Sequence, residues 1–286
     1  MTKNQTEKEI IVVVGPTASG KSDFAVDLAL KNNGEIISAD SRQIFKGLDL
    51  GTGKITKKEM KGVKHYMLDV ADIPTEFSVA EYKRLALPII EDIFSRGKTP
   101  IICGGTGQYI DSIIFDQEIP KVEPNKKLRD ILENKKTEEL FEELLKKDSR
   151  RGKDIDKYNR VRLVRALEII EELGEVPTQE TPSLRFKTKI YLLNPTREIL
   201  KERITKRLEK RLKLGMIDEV KKIMKKGYNS DEMKRFGLEY KYIGKYLEGE
   251  ISENEMKEEI INKSMQYAKR QQTWNAKYKE IAEIIK

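Results

Sequence analysis

Residues Gly15-Pro16-Thr17-Ala18-Ser19-Gly20-Lys21-Ser22 complete the pattern GxxxxGK[ST]. Glycines let the backbone wrap an anion so that successive N–H groups point inward. Lys21 adds a point charge, and the Ser22 hydroxyl is a ligand suited to magnesium. Gly15, Thr17, Ala18, Ser19, Gly20, Lys21 and Ser22 are therefore candidates for holding a di- or triphosphate. The loop alone leaves a nucleotide kinase, an ATPase and a transferase of a diphosphate-activated group all open. Two further segments carry chemistry. Asp40-Ser41-Arg42-Gln43 offers a carboxylate that could act as a general base and an amide that could read a base edge. The plainer alternative is a helix N-cap with solvated neighbours. Gly104-Gly105-Thr106-Gly107 lets the backbone approach a ligand closely, with the Thr106 hydroxyl beside it. The plainer alternative there is a flexible turn.

The elements around these segments have a consistent order. Ile10–Val14 is a continuous apolar run that reads as a buried parallel strand. The phosphate loop follows it, and then a helix whose N-terminus favours the same anion. Strands are expected at Glu35–Ser38 and Thr99–Cys103. The helix expected at Ser78–Arg96 is interrupted by Pro88, which predicts a kink. Alternation of strand and helix predicts an α/β fold with a parallel sheet covered by helices. Ligands in such sheets bind at the carboxyl ends of the strands. From Asp116 to Lys187 strand signals nearly vanish, and Lys126–Lys147 and Tyr158–Leu173 read as helices. Lys189–Leu193 is a return strand. Asn194 or Thr196 caps a long helix starting near Arg197, with the stripe Leu200, Ile204, Leu208 and Leu212. The remainder reads as further helices. The expected organisation is a core at 1–115, a helical insertion at 116–187, and a return strand with C-terminal helices at 188–286.

Composition excludes several classes. The 286 residues, 38% hydrophobic, are enough to bury a core. A charged content of 36% and a mean hydropathy of −0.62 exclude a membrane protein. No apolar run approaches the ~18 residues of a membrane span. The start MTKNQTEKEI mixes acids with lysines and reads as neither signal nor transit peptide. A single cysteine excludes a disulfide framework or a cysteine-built zinc site and points to a reducing, cytoplasmic setting. Cys103 reads as a small buried residue, His65 has no metal-site partner, and Trp274 favours packing over stacking on RNA. The net charge is +8, and residues 195–226 hold twelve Lys or Arg against five Asp or Glu, a local +7. Arg203, Arg207 and Arg211 recur at i+4 and share a face. That face reads as an electrostatic footprint for an anionic partner, the plainer alternative being an ordinary charged surface.

Taken together, the chain resembles the tRNA dimethylallyltransferases, also called tRNA isopentenyltransferases. The resemblance rests on GPTASGKS (15–22), ADSRQIF (39–45), GTGK (51–54), SVAEYK (78–83), GGTGQY (104–109), NRVRLVRALE (159–168), LKERITKRLEKRLKLGMIDEV (200–220) and YAKRQQTW (267–274). These blocks fall in the family's order and span nearly the whole chain. The resemblance implies a P-loop NTPase-like core. It also implies transfer of a dimethylallyl group from dimethylallyl diphosphate to N6 of an adenosine next to the tRNA anticodon, with diphosphate leaving. Asp40 then matches the catalytic base, and Thr106 lies near the reacting centre. Mg2+ would sit with Ser22, and Arg207 would contact diphosphate. Asp40, Ser41, Arg42, Gln43 and Thr106 would meet a flipped adenine. Asn159, Arg160 and Arg165 in the insertion would contact the anticodon stem-loop. The implied enzyme is a cytoplasmic monomer without a membrane partner.

Some positions depart from the family pattern. His65-Tyr66 stands where two histidines are usual, Arg211 where methionine is, and GLEYKYIG matches the Gly-Tyr-Lys-Glu segment only loosely. GTGK replaces the commoner GTAK, and Gln108 replaces a leucine. A small-molecule or nucleotide kinase is the alternative, and would need a mobile basic lid. An RNA-binding module with a structural nucleotide is a third reading, against which the two motifs beside the phosphate loop weigh. Free adenine nucleotides are the rival acceptor.

Overall fold

The computed structural model describes residues 8–116, 119–178 and 183–285. The chain divides into two compact units, residues 1–116 with 184–286, and residues 117–183. In chain order, the first unit opens with β1 (Glu9–Val14), α1 (Lys21–Lys31), β2 (Gly34–Ala39), β3 (His65–Tyr66), α2 (Val79–Ser95), β4 (Thr99–Gly104) and α3 (Gly107–Ile114). The second unit holds α4 (Lys126–Glu133), α5 (Thr137–Lys147), α6 (Ser149–Asp154) and α7 (Arg160–Leu173). The first unit resumes with β5 (Lys187–Leu193), α8 (Arg197–Lys213), α9 (Met216–Met224), α10 (Ser230–Met233), α11 (Leu238–Leu247), α12 (Glu253–Asn275) and β6 (Ala282–Ile285).

The six strands pair in the order β3-β2-β4-β1-β5-β6, all parallel. Both faces are covered, as a parallel sheet requires. Successive side chains of a strand point to opposite faces. Ile10, Val12 and Val14 accordingly join Ile37, Ile102 and Ile190 in one core, packed against α2 and the C-terminal helices. Ile11 and Val13 join Ala25, Val26 and Ala29 of α1 in the other.

Register places the site. Val14 of β1 and Ala39 of β2 both lie level with Gly104 of β4. The phosphate loop, Asp40 and the 105–107 turn therefore leave the same edge of three adjacent strands at the same height. Gly104 has no room for a side chain, because a Cβ would overlap the Ala39 carbonyl and Cα. Gly104→Ala should separate β2 from β4 and cost about 1–3 kcal/mol, read as a lower urea midpoint.

Three sequence expectations change. The segment Lys126–Lys147 is two helices, because Asn134, Lys135 and Lys136 break the run. Asn134 ends α4 at Ile131 and Leu132, while at the start of α5 the Glu139 carboxylate accepts the Lys136 N–H at 2.7 Å. The helix α2 continues through Pro88, since burial of Tyr82, Ala86, Ile90 and Ile93 outweighs the lost backbone bond. The C-terminal segment is not helical throughout. Ala282–Ile285 forms an edge strand on β5, four residues too short to show a strand period.

The second unit has its own core, with Leu132, Leu140, Leu144, Leu163, Leu167 and Ile170 buried together. Among the described residues no helix is long and apolar enough to cross a membrane.

Candidate active site

The phosphate loop is held in an unusual backbone shape. Gly20 caps α1 with φ 94°, a left-handed conformation that glycine adopts without strain. Ala18 also sits at positive φ, 61°, the kind of cost that persists where a loop must hold a ligand. Lys21 curls back and donates to the Pro16 carbonyl at 2.7 Å. Burial pushes its pKa down to about 8, and the Arg207 charge adds to this, while Cys103 and Asp40 oppose it. The Arg203 guanidinium donates to the Ser19 carbonyl at 3.0 Å and braces the loop from α8.

These groups line a cleft of about 840 Å³. Thr17, Ala18, Ser19, Gly20, Lys21 and Ser22 face it, as do Asp40, Gln43, Gly105, Arg203 and Arg207. Burial lowers the Arg207 pKa to about 10, helped by the neighbouring Arg211 and opposed by Glu239. Arg207 keeps its charge at neutral pH, in a place where an anion would be strongly attracted.

The Asp40 carboxylate is fixed by its own loop. Its Oδ1 accepts the Arg42 N–H at 2.9 Å and the Gln43 N–H at 3.4 Å. No helix starts at Asp40, so it is not an N-cap: the carboxylate organises a turn and still lines the cleft. Thr106 precedes α3 but makes no side-chain cap. Its hydroxyl accepts the Ser41 N–H at 3.0 Å and donates to Ser41 Oγ at 3.2 Å. The glycine-rich turn is therefore tied to the Asp40 loop. Gln43 donates its amide to the Gly53 carbonyl at 3.3 Å. Arg42 is exposed and donates to the Arg235 carbonyl. Lys54 holds the far end of this loop through Asp49 and Asp69, both at 2.6 Å.

The i+4 arginines of α8 do not form an open RNA-facing stripe. Arg203 and Arg207 face the cleft, and Arg211 pairs with Glu239 at 3.4 Å with 14% of its side chain exposed. Packing of the Leu200–Ile204–Leu208 stripe sets this rotation. Arg211, which stands where methionine is usual in the family, is thus partnered by Glu239 of the loosely matching GLEYKYIG segment.

In the second unit, Asn159 caps α7 by accepting the Arg162 N–H. Arg160 donates to the carbonyls of Lys135, Leu132 and Glu133, closing the end of α4. Arg165 donates to the Val122 carbonyl and to Glu168. Burial alone would raise the pKa of Glu168. Hydrogen bonds from Arg129 and the Asn125 N–H, with help from Arg165, hold it below the ordinary range instead. All three insertion residues expected to contact the stem-loop thus hydrogen-bond within their own unit. Lys157, Tyr158, Val161 and Arg162 are exposed there.

Sequence reasoning gave no role to Tyr267 and Gln271, which line the cleft from α12. Their i+4 spacing within YAKRQQTW was the available signal. The other singled-out residues are structural. Trp274 packs against Gly107 with Lys277 over its ring. Cys103 is buried, which pushes its thiol up to about 12. His65 Nδ1 meets the Val63 carbonyl.

Comparison with known proteins agrees with this geometry. A family model described as IPP transferase matches residues 43–278. A tRNA dimethylallyltransferase of Thermoanaerobacter sp. is 43% identical over 277 residues, 93% of this chain and 88% of that protein. One from Caldanaerobacter subterraneus is 41% identical over 281 residues, 94% and 89% of the two chains. The crystal structure of a tRNA isopentenylpyrophosphate transferase from Bacillus halodurans superposes with TM-score 0.72 at 33% identity, covering 98% of this chain and 90% of that one. A eukaryotic dimethylallyltransferase acting on tRNA gives TM-score 0.86 at 27% identity, covering 97% and 73%. Such agreement of sequence and fold across nearly the whole chain shows that it belongs to the IPP transferase family.

Proposed function

We propose that this protein transfers a dimethylallyl group from dimethylallyl diphosphate to N6 of an adenosine next to the anticodon of tRNA and releases diphosphate. The observation that carries this reading is the meeting of a phosphate loop and a carboxylate in one cleft, at the ends of β1 and β2, which lie level on either side of β4. The relatives named above are transferases, which favours this chemistry over a kinase built on the same loop.

The C–O bond to diphosphate breaks as the bond from N6 to the same carbon forms. Negative charge gathers on the departing diphosphate. The loop N–H groups, Lys21 and Arg207 face that charge already in position, so no reorganisation is needed as it develops. Asp40 takes the proton that N6 loses. Thr106, bonded to Ser41, keeps the Asp40 loop against the turn that bears it. Ser41, Arg42 and Gln43 hold the flipped adenine.

A divalent cation suits this donor set. No group of three His, Cys, Asp or Glu side chains among the described residues could hold an ion unaided. Mg2+ takes few protein ligands and otherwise uses substrate phosphate and water. Ser22 would supply the hydroxyl, and the ion would add positive charge at the diphosphate. The tRNA stem-loop would meet α7 through exposed Tyr158 and Arg162, with Asn159, Arg160 and Arg165 shaping that turn. Action as a monomer is part of the same proposal, and a tRNA substrate supports a cytoplasmic location.

Incubation with unmodified tRNA and dimethylallyl diphosphate, followed by nucleoside analysis, should yield N6-dimethylallyl adenosine. Absence of that product together with ATP-dependent phosphorylation of a small molecule would replace this reading by the kinase.

A further inference from the structure

One buried side chain joins the two halves of the cleft and has no task in the mechanism above. Gln271 of α12 is 7% exposed. Its amide oxygen accepts the Thr17 N–H at 2.7 Å, and its amide nitrogen donates to the Gly105 carbonyl at 2.9 Å. Gly105 leads directly to Thr106, whose hydroxyl bonds Ser41 beside Asp40. A continuous path of hydrogen bonds and backbone thus runs from the phosphate loop to the carboxylate. Room is made for it, because a Cβ on Gly105 would overlap the Gln271 amide.

The geometry points to Gln271 as a positioning residue that sets the distance between the diphosphate-bearing loop and Asp40 during transfer. This rests on the proposed prenyl transfer. A primary amide offers an acceptor and a donor on one rigid plane, and both are used here. Leucine offers neither. An ionised glutamate offers only acceptors and would face the Gly105 carbonyl with repulsion. Affinity for the anion is spread over several N–H groups, Lys21 and Arg207, so loss of the bridge changes it little. Reaction geometry is far more sensitive, since a misplacement of about 1 Å can cost about 10²-fold in rate.

Gln271→Leu is therefore expected to lower kcat by about 30–100-fold. Its affinity for inorganic diphosphate, measured by calorimetry, should stay within about threefold of the parent protein. Gln271→Glu should be impaired at pH 8 and recover relative to the parent as pH falls to 6. A protonated carboxyl restores the donor and acceptor, and its population rises by up to about tenfold per pH unit. Melting curves establish that both variants are folded. A Gln271→Leu kcat within about threefold of the parent overturns the assignment. So does a joint loss of kcat and diphosphate affinity with no acid recovery in Gln271→Glu, which would mark a packing role. If the parent protein itself makes no prenylated adenosine, the functional reading fails on its own. The bridge is then read by hydrogen exchange: faster exchange of the Thr17 amide in Gln271→Leu upholds it, and unchanged exchange overturns it.

Discussion

Asp40→Asn is expected to lower kcat by about 10²–10⁴-fold, the usual range for removing a general base, while tRNA binding persists. The substitution is chosen for its geometry. Asparagine keeps an oxygen where Oδ1 accepts the Arg42 and Gln43 N–H groups, so the turn survives. What is lost is the capacity to take the N6 proton. Asp40→Ala removes both the base and the turn, and should raise the KM for tRNA as well as abolish turnover. Comparing the two variants separates chemistry from loop order. Steady-state kinetics with a filter-binding measurement of tRNA affinity makes the check. An Asp40→Asn enzyme with near-parental turnover would remove Asp40 from the role of base.

The second large effect is a pH dependence of diphosphate binding. Lys21 titrates at about 8, against an ordinary lysine value of 10.5. The main cause is burial, which penalises the charged form. Below about 8 the ammonium is present and attracts the anion. Above it, binding must draw a proton onto Lys21, so affinity should fall by up to about tenfold per pH unit until the pKa of the complex is passed. Folding stability should move the other way. The folded state disfavours protonated Lys21, a cost fully present below about 8 and relieved as pH rises toward 10.5. Lys21→Met should weaken binding at pH 7 and flatten both pH responses. Calorimetric titration with dimethylallyl diphosphate and urea unfolding, each across pH 7–10, measure the two. A parental affinity flat over that range would show that Lys21 does not carry the charge that holds the anion.

Local chemistry was legible in the sequence because it is written in contiguous residues. The phosphate loop is eight residues in a row, and its strand and helix flank it directly. The Asp40 and Thr106 segments each follow a strand, so their side of a parallel sheet was predictable. The helical character of 126–147 and 158–173 showed in composition, although the break at 134–136 depended on the bond from the Lys136 N–H to the Glu139 carboxylate. The short strands β3 and β6 carry too few residues for a period and exist because a neighbour pairs with them.

What the sequence by itself determined is the set of candidate groups: a glycine-rich loop with its lysine, a carboxylate after one strand, a hydroxyl after another. Only the tertiary structure decided which distant residues serve them. Strand register brought Val14, Ala39 and Gly104 level. Packing of α8 turned Arg203 and Arg207 inward to the loop and paired Arg211 with Glu239, where charge count alone suggested an outward basic face. Packing of α12 brought Gln271, 254 residues along the chain from Thr17, to within 2.7 Å of its N–H. The reason is physical. A residue's type sets what bonds it can make, but its partners are chosen by which apolar faces bury together, and that is a property of the whole fold.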